Sequence, residues 1–142
     1  MAMHRIEGWE KRLAESMAQV MSWRYELGRH DCIAMACSAI EALTGEKLFA
    51  RYFGKYSCEQ GAAIQLARAA DFERPYLTNA VSNILRLPTE NIKLAQRGDI
   101  VEWRIEEEPH IGVALHTEAI GFGKNGAYCV PMNQCIHCWK VG

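Results

Sequence analysis

The chain has 142 residues, 49% hydrophobic and 23% charged, with 16 basic against 17 acidic side chains and a formal charge of -1. That length suits one compact domain over residues 1–142, and the composition excludes a disordered chain. The even charge balance argues against nucleic acid as a partner, since phosphate binding needs clustered Lys and Arg. No apolar run approaches the ~18–20 residues that span a bilayer, so a membrane is not expected either.

Met1 to Arg12 carry Glu7 and Glu10 among their apolar residues, unlike the apolar core of a signal peptide. Synthesis and folding in the cytoplasm are therefore expected. There the six cysteines, too few for a disulfide scaffold, should remain thiols.

Ile6, Trp9, Leu13, Met17 and Val20 recur at three- and four-residue steps and predict an amphipathic helix over residues 4 to 21. An irregular stretch from Ser22 to His30 contains Gly28. A second helix should run from Asp31 to Thr44, with Asp31 as N-cap and Gly45 as the left-handed terminator. Residues 59–70 and 76–86 read as two further helices separated near Pro75. From Gln96 the period shortens to two. Val101, Trp103 and Ile105 alternate with charges, Glu106 to Pro109 make a turn, and Ile111, Val113 and Leu115 alternate with smaller residues or His116. A third strand is expected over Thr117 to Phe122, then a hairpin at Asn125-Gly126 and a returning strand over Ala127 to Val130. Asn133 to Trp139 should form a short turn or helix whose Trp139 packs back on the body. Helices followed by an antiparallel meander predict an α+β domain.

Cys32 falls in the first turn of the second helix, where unpaired N–H groups and the helix dipole favour a thiolate. The other reading of a free cysteine there is a small buried hydrophobe. A cysteine nucleophile needs a base, and His110 opens a strand on which His110, Gly112, Ala114 and His116 share a face. The two small residues would admit a helix closely on that side, and if it is the Cys32 helix, thiol and imidazole could meet. His116 shares the face but sits roughly 20 Å further along. The other reading of His110 is a solvated strand-edge residue.

Three other groups invite chemistry. Cys129, Cys135, His137 and Cys138 supply four zinc-type ligands, but the second spaced pair of a zinc site is missing, so no metal is expected. His30 is expected to brace the loop that presents Cys32. Gly121 to Gly126 lack the strand-to-helix setting of a phosphate loop and read as a hairpin.

Tyr25-Glu-Leu-Gly-Arg-His-Asp-Cys32, then Arg97-Gly-Asp-Ile-Val101, then His110-Ile-Gly-Val-Ala-Leu115 resemble the NlpC/P60 family of papain-like cysteine peptidases. More closely, the Gly-Arg-His-Asp-Cys block, the Ala-Gln-Arg-Gly-Asp block and the ending Cys-Trp-Lys-Val-Gly resemble a compact branch carried by phages, prophages and gene transfer agents. The resemblance covers nearly all of residues 6–142. It implies a papain-like domain with N-terminal helices packed on a C-terminal antiparallel sheet. Cys32 would be the nucleophile, His110 its base, and Tyr25 a donor to the developing oxyanion. The substrate class it implies is the amide bonds of peptidoglycan stem peptides, hydrolysed with no cofactor, and phage tail proteins are implied partners.

Three departures frame an alternative. Ile33-Ala34 stand where the family has Ser-Gly, and Ile120 to Gly123 offer no side chain where a third polar residue would orient the histidine. Asn125 or a backbone carbonyl is the remaining substitute. No wall-anchoring module is expected in the chain. The alternative is a catalytically impaired member serving as a phage tail assembly or tail-tip structural protein.

Overall fold

The structure, a computed structural model, describes residues 3–53 and 56–142. The helices are α1 (Trp9–Met21), α2 (Cys32–Thr44), α3 (Leu48–Tyr52), α4 (Glu59–Ala69) and α5 (Tyr76–Leu85). The strands are β1 (Glu90–Asn91), β2 (Ile100–Ile105), β3 (Glu108–Ala114), β4 (Glu118–Gly123), β5 (Gly126–Pro131) and β6 (His137–Trp139). They pair antiparallel in the order β1-β6-β2-β3-β4-β5. The architecture is therefore α+β, with N-terminal helices and a C-terminal antiparallel sheet. No helix among the described residues is long and apolar enough to cross a membrane.

The central helix is α2, and its ends are set locally. The Asp31 carboxylate accepts the Ala34 N–H at 2.8 Å, and Gly45 closes the helix at φ 82°. Arg12 of α1 donates to the carbonyls of Ala42 and Glu41, placing a cation at the negative end of the α2 dipole and giving the Ala42 carbonyl a partner.

The first helix starts later than the predicted residue 4. Gly8 adopts φ 78° immediately before it, and the residues ahead are claimed by tertiary contacts. The Ile6 N–H donates to the Leu43 carbonyl. Arg5 reaches the Val141 and Arg97 carbonyls and the Asp99 carboxylate.

The sheet has two unlike faces. Ile100, Ile111, Val113, Ile120 and Phe122 join the core formed with α1 and α2, including Leu13, Ile33, Ala36 and Ile40. Val101, Trp103, Ala114, Ala119 and Cys138 form a second cluster, covered by Ile92, Ala95 and Met132. Helix α2 thus packs on the Ile111 and Val113 side of β3, whereas the small residues predicted a close helix on the His110 and Gly112 side. Branched side chains bury more apolar area against a helix than glycine and alanine do. The room over Gly112 is filled by an indole: a Cβ there would lie 2.8 Å from the Trp103 ring and 2.3 Å from the Ile120 carbonyl oxygen.

The C-terminal segment also differs from the predicted turn or helix. Met132–Gln134 form one 3-10 turn, and His137–Trp139 become β6, inserted between β1 and β2. Trp139 does pack back: it is fully buried and donates its indole N–H to Ser82 Oγ at 2.9 Å. A three-residue strand leaves no periodicity to read; the open edge of β2 supplies the partner that defines it.

Candidate active site around Cys32

The loop from Ser22 to Asp31 is held by backbone and carboxylate bonds. Glu26 and His30 exchange both backbone hydrogen bonds, at 3.0 and 2.7 Å. Asp31 then does more than cap α2. Its Oδ2 accepts the Gly28 N–H at 3.0 Å and the Tyr56 hydroxyl at 2.7 Å. Gly28 sits at φ 84°, and a Cβ there would lie 1.9 Å from the Tyr56 carbonyl oxygen. The spacing from Tyr25 to Gly28 therefore marks a crossing of two backbones. Gly28→Ala is expected to cost about 2 kcal/mol or more, from left-handed strain plus this overlap. Urea unfolding checks it, and an unchanged midpoint would contradict the crossing.

Cys32 is the first residue of α2 and is partly buried. Burial, and then the Asp31 carboxylate, push its thiol up to about 12, while the backbone N–H groups of Ile33 and of Cys32 itself pull it down. The helix terminus acts in the expected direction, but desolvation and a neighbouring anion outweigh it. The resting sulfur is a neutral thiol.

Three phenols respond to its charge. Burial is the first cause raising Tyr25, Tyr56 and Tyr128, and the electrostatic influence of Cys32 adds to each. Tyr25 was expected beside the thiol. Tyr56 and Tyr128 were not, because neither has a local signal pointing to Cys32. Tyr128 arrives through the β4–β5 register, which sets it opposite Gly121, and its ring fills the space a Cβ at Gly121 would need.

His110 lies near the start of β3, directly opposite Trp103. The two rings stack, centroids 6.2 Å apart and planes 10° from parallel. Trp103 in turn meets Tyr128 edge-on at 6.1 Å. An aromatic surface of Tyr128, Trp103 and His110 thus extends over the glycines of β3 and β4. Among the described residues, no hydrogen bond joins His110 to Cys32, and none fixes the His110 ring to a carboxylate or amide.

A family model described as a domain of unknown function, DUF6950, matches residues 4–141. The chain belongs to the DUF6950 family. No curated protein matches it. The matched span holds the helices and the sheet together, so Cys32, Tyr25 and His110 all belong to the DUF6950 unit.

The remaining candidates serve other contacts. His30 stacks on Trp23 at 4.3 Å, within the loop that presents Cys32. His116 lies beyond the far end of β3 and, with Arg5, Trp9 and Arg97, lines an open cleft of about 750 Å³. His137 Nε2 meets the buried Glu102 carboxylate at 3.0 Å, where Thr78 also donates. The Cys138 thiol faces the Asn91 carbonyl, and Cys129 is exposed. Among the described residues no three His, Cys, Asp or Glu side chains converge as a metal site would require.

Proposed function

We propose that this chain is an NlpC/P60-like, papain-type cysteine hydrolase of phage or prophage origin, acting on amide bonds of peptidoglycan stem peptides. The observation that carries the reading is Cys32 at the first turn of α2, with the loop that carries Tyr25 tied by its Gly28 N–H to the same Asp31 that caps the helix. In the reaction the Cys32 sulfur attacks the scissile carbonyl carbon. His110 takes the thiol proton as the S–C bond forms and returns it to the leaving amine. Water then hydrolyses the acyl-enzyme, and Tyr25 donates to the oxyanion. A thiol lifted to about 12 means that deprotonation accompanies attack, with no ion pair standing ready. Because α2 packs on the Ile111 and Val113 side of β3, this step requires His110 to leave its stack on Trp103 and turn toward the sulfur.

Purified chain incubated with muropeptides, with products read by mass spectrometry, tests this. Cleavage of a stem amide should vanish in Cys32→Ala and His110→Ala and fall about 10²-fold in Tyr25→Phe. Cleavage that survives Cys32→Ala would sink the reading.

A second reading is favoured by the indole that stacks on His110, where a catalytic imidazole would meet a carboxylate or amide. Under it the chain is a catalytically impaired tail assembly or tail-tip component binding phage tail proteins. It predicts no muropeptide cleavage and presence of the chain in purified particles, with infectivity unchanged by Cys32→Ala.

A further inference from the structure

The turn before β2 runs beside the end of β3. The Gly98 N–H donates to the Ala114 carbonyl at 2.7 Å, and the Ala114 N–H donates to the Asp99 carbonyl at 2.9 Å. Arg97 is thereby brought next to Leu115 and His116, and the three line one open cleft of about 750 Å³ together with Arg5 and Trp9. That volume is in the range of small-molecule sites. Arg5 forms a fixed wall. It donates to the Val141 carbonyl at 2.8 Å, the Arg97 carbonyl at 2.7 Å and the Asp99 carboxylate at 3.0 Å, and its guanidinium stands 4.3 Å from the Trp9 ring centroid. A guanidinium carries five N–H donors, and these bonds use three of them. Arg97 and His116 are exposed, and among the described residues neither side chain makes a hydrogen bond or ion pair.

The charges around the cleft do not cancel. Asp99 is one anion shared by two cations, Arg5 and Lys140, and Arg97 adds a third cation. The surplus is two positive charges on a chain whose formal charge is -1. Among the described residues no acidic side chain lines the cleft. Glu7, Glu10 and Glu118, neighbours of lining residues in sequence, are exposed, where solvent and salt screen them. The cleft is also remote from Cys32. Gly98 lies against Leu43 in the last turn of α2, roughly 16 Å along the helix from Cys32 at 1.5 Å per residue.

We propose that this cleft binds a phosphate monoester with an apolar or aromatic organic group. The Arg97 guanidinium takes two phosphoryl oxygens side by side. The His116 ring N–H and the spare donors of Arg5 meet the others, and the organic group lies against Trp9 and Leu115. A phosphate monoester carries close to two negative charges near neutral pH, which answers the surplus of two cations; a carboxylate would leave one unanswered.

Phenyl phosphate, inorganic phosphate and phenylacetate titrated into the natural chain test the site by calorimetry and by the indole N–H resonances. Phenyl phosphate should bind and shift the Trp9 resonance while those of Trp23, Trp103 and Trp139 stay in place. Inorganic phosphate and phenylacetate should each bind more weakly, the first lacking the ring and the second one charge. Arg97→Ala and His116→Ala change exposed side chains, so the fold is kept, and the first should weaken phenyl phosphate binding about 10-fold or more. Cys32→Ala should bind it unchanged. Absence of binding, an unmoved Trp9 resonance, or equal affinity in Arg97→Ala overturns the site. Phenylacetate bound as tightly as phenyl phosphate overturns the assignment to a phosphate monoester, and binding lost in Cys32→Ala overturns the separation from the active site.

Discussion

Asp99→Ala is expected to lower the unfolding free energy by about 3–5 kcal/mol. Asp99 is fully buried, and both its oxygens are saturated. Oδ1 accepts from Arg5 Nη2 at 3.0 Å and from the Val141 N–H at 2.9 Å. Oδ2 accepts from Lys140 Nζ at 2.6 Å and the Gln96 N–H at 2.8 Å. One carboxylate thus ties the segment before α1, the residues after β6 and its own turn into a single clamp. Alanine leaves two cations without their partner and two backbone donors unpaired, and an unmet buried donor costs about 1–3 kcal/mol by itself. Such a loss is a large part of the ~5–15 kcal/mol that holds a domain folded. Urea unfolding of natural chain and variant measures it, and a loss below about 1 kcal/mol would show that the clamp is ornamental to stability. The same contacts account for the Arg-Gly-Asp and terminal Lys-Val-Gly blocks without any catalytic role.

Iodoacetamide is expected to modify Cys32 about 10³-fold more slowly than an ordinary free thiol of a small peptide near neutral pH, because only thiolate reacts and its share falls tenfold per unit of pKa. The rate should climb tenfold per pH unit toward about 12 instead of levelling near 9. His110→Ala should leave it unchanged in the resting chain. Peptide mass spectrometry resolves the sites, and a plateau near neutrality that His110→Ala removes would reveal a standing ion pair. Stability follows the same sign. Cys32 and Cys37 both titrate near 12 when folded, raised chiefly by burial, against 9 for an ordinary thiol. Their neutral forms stabilise the fold fully below about pH 9. Above that the unfolded chain releases protons the folded one retains, so stability is lost between about 9 and 12, by ~1.4 kcal/mol per pH unit for each thiol. A urea midpoint that stays flat across this window would contradict the buried neutral thiols.

Much of the frame was legible in the amino-acid order because it is local. Asp31 and Gly45 bracket α2 through bonds and dihedrals that span a few residues. The Asn125-Gly126 turn and the alternation in β2 and β3 are equally short-ranged. Even so, the turn at Glu106 and Glu107 takes two positive φ angles, 51° and 68°, with no glycine to announce it. Cys32 could be placed at the head of a helix from its neighbours alone, as could the loop that carries Tyr25.

Long-range pairing decided the rest. Alternation along β3 sorts its side chains into two sets but carries no information on which set meets α2; burial of Ile111 and Val113 settles that. β6 exists because β2 had an unpaired edge, and Arg5 left the expected first helix because Asp99 lay within reach. The surroundings of Cys32 are of the same kind. Tyr56 and Tyr128, whose phenols respond to its charge, come from distant segments. What the chain order determined by itself was which short stretches coil or extend, since those preferences sit in each residue's own dihedrals and nearest hydrogen bonds. What the tertiary structure alone decided was the charge state of Cys32 and the company of His110, because desolvation and ring contacts depend on atoms brought together only by folding.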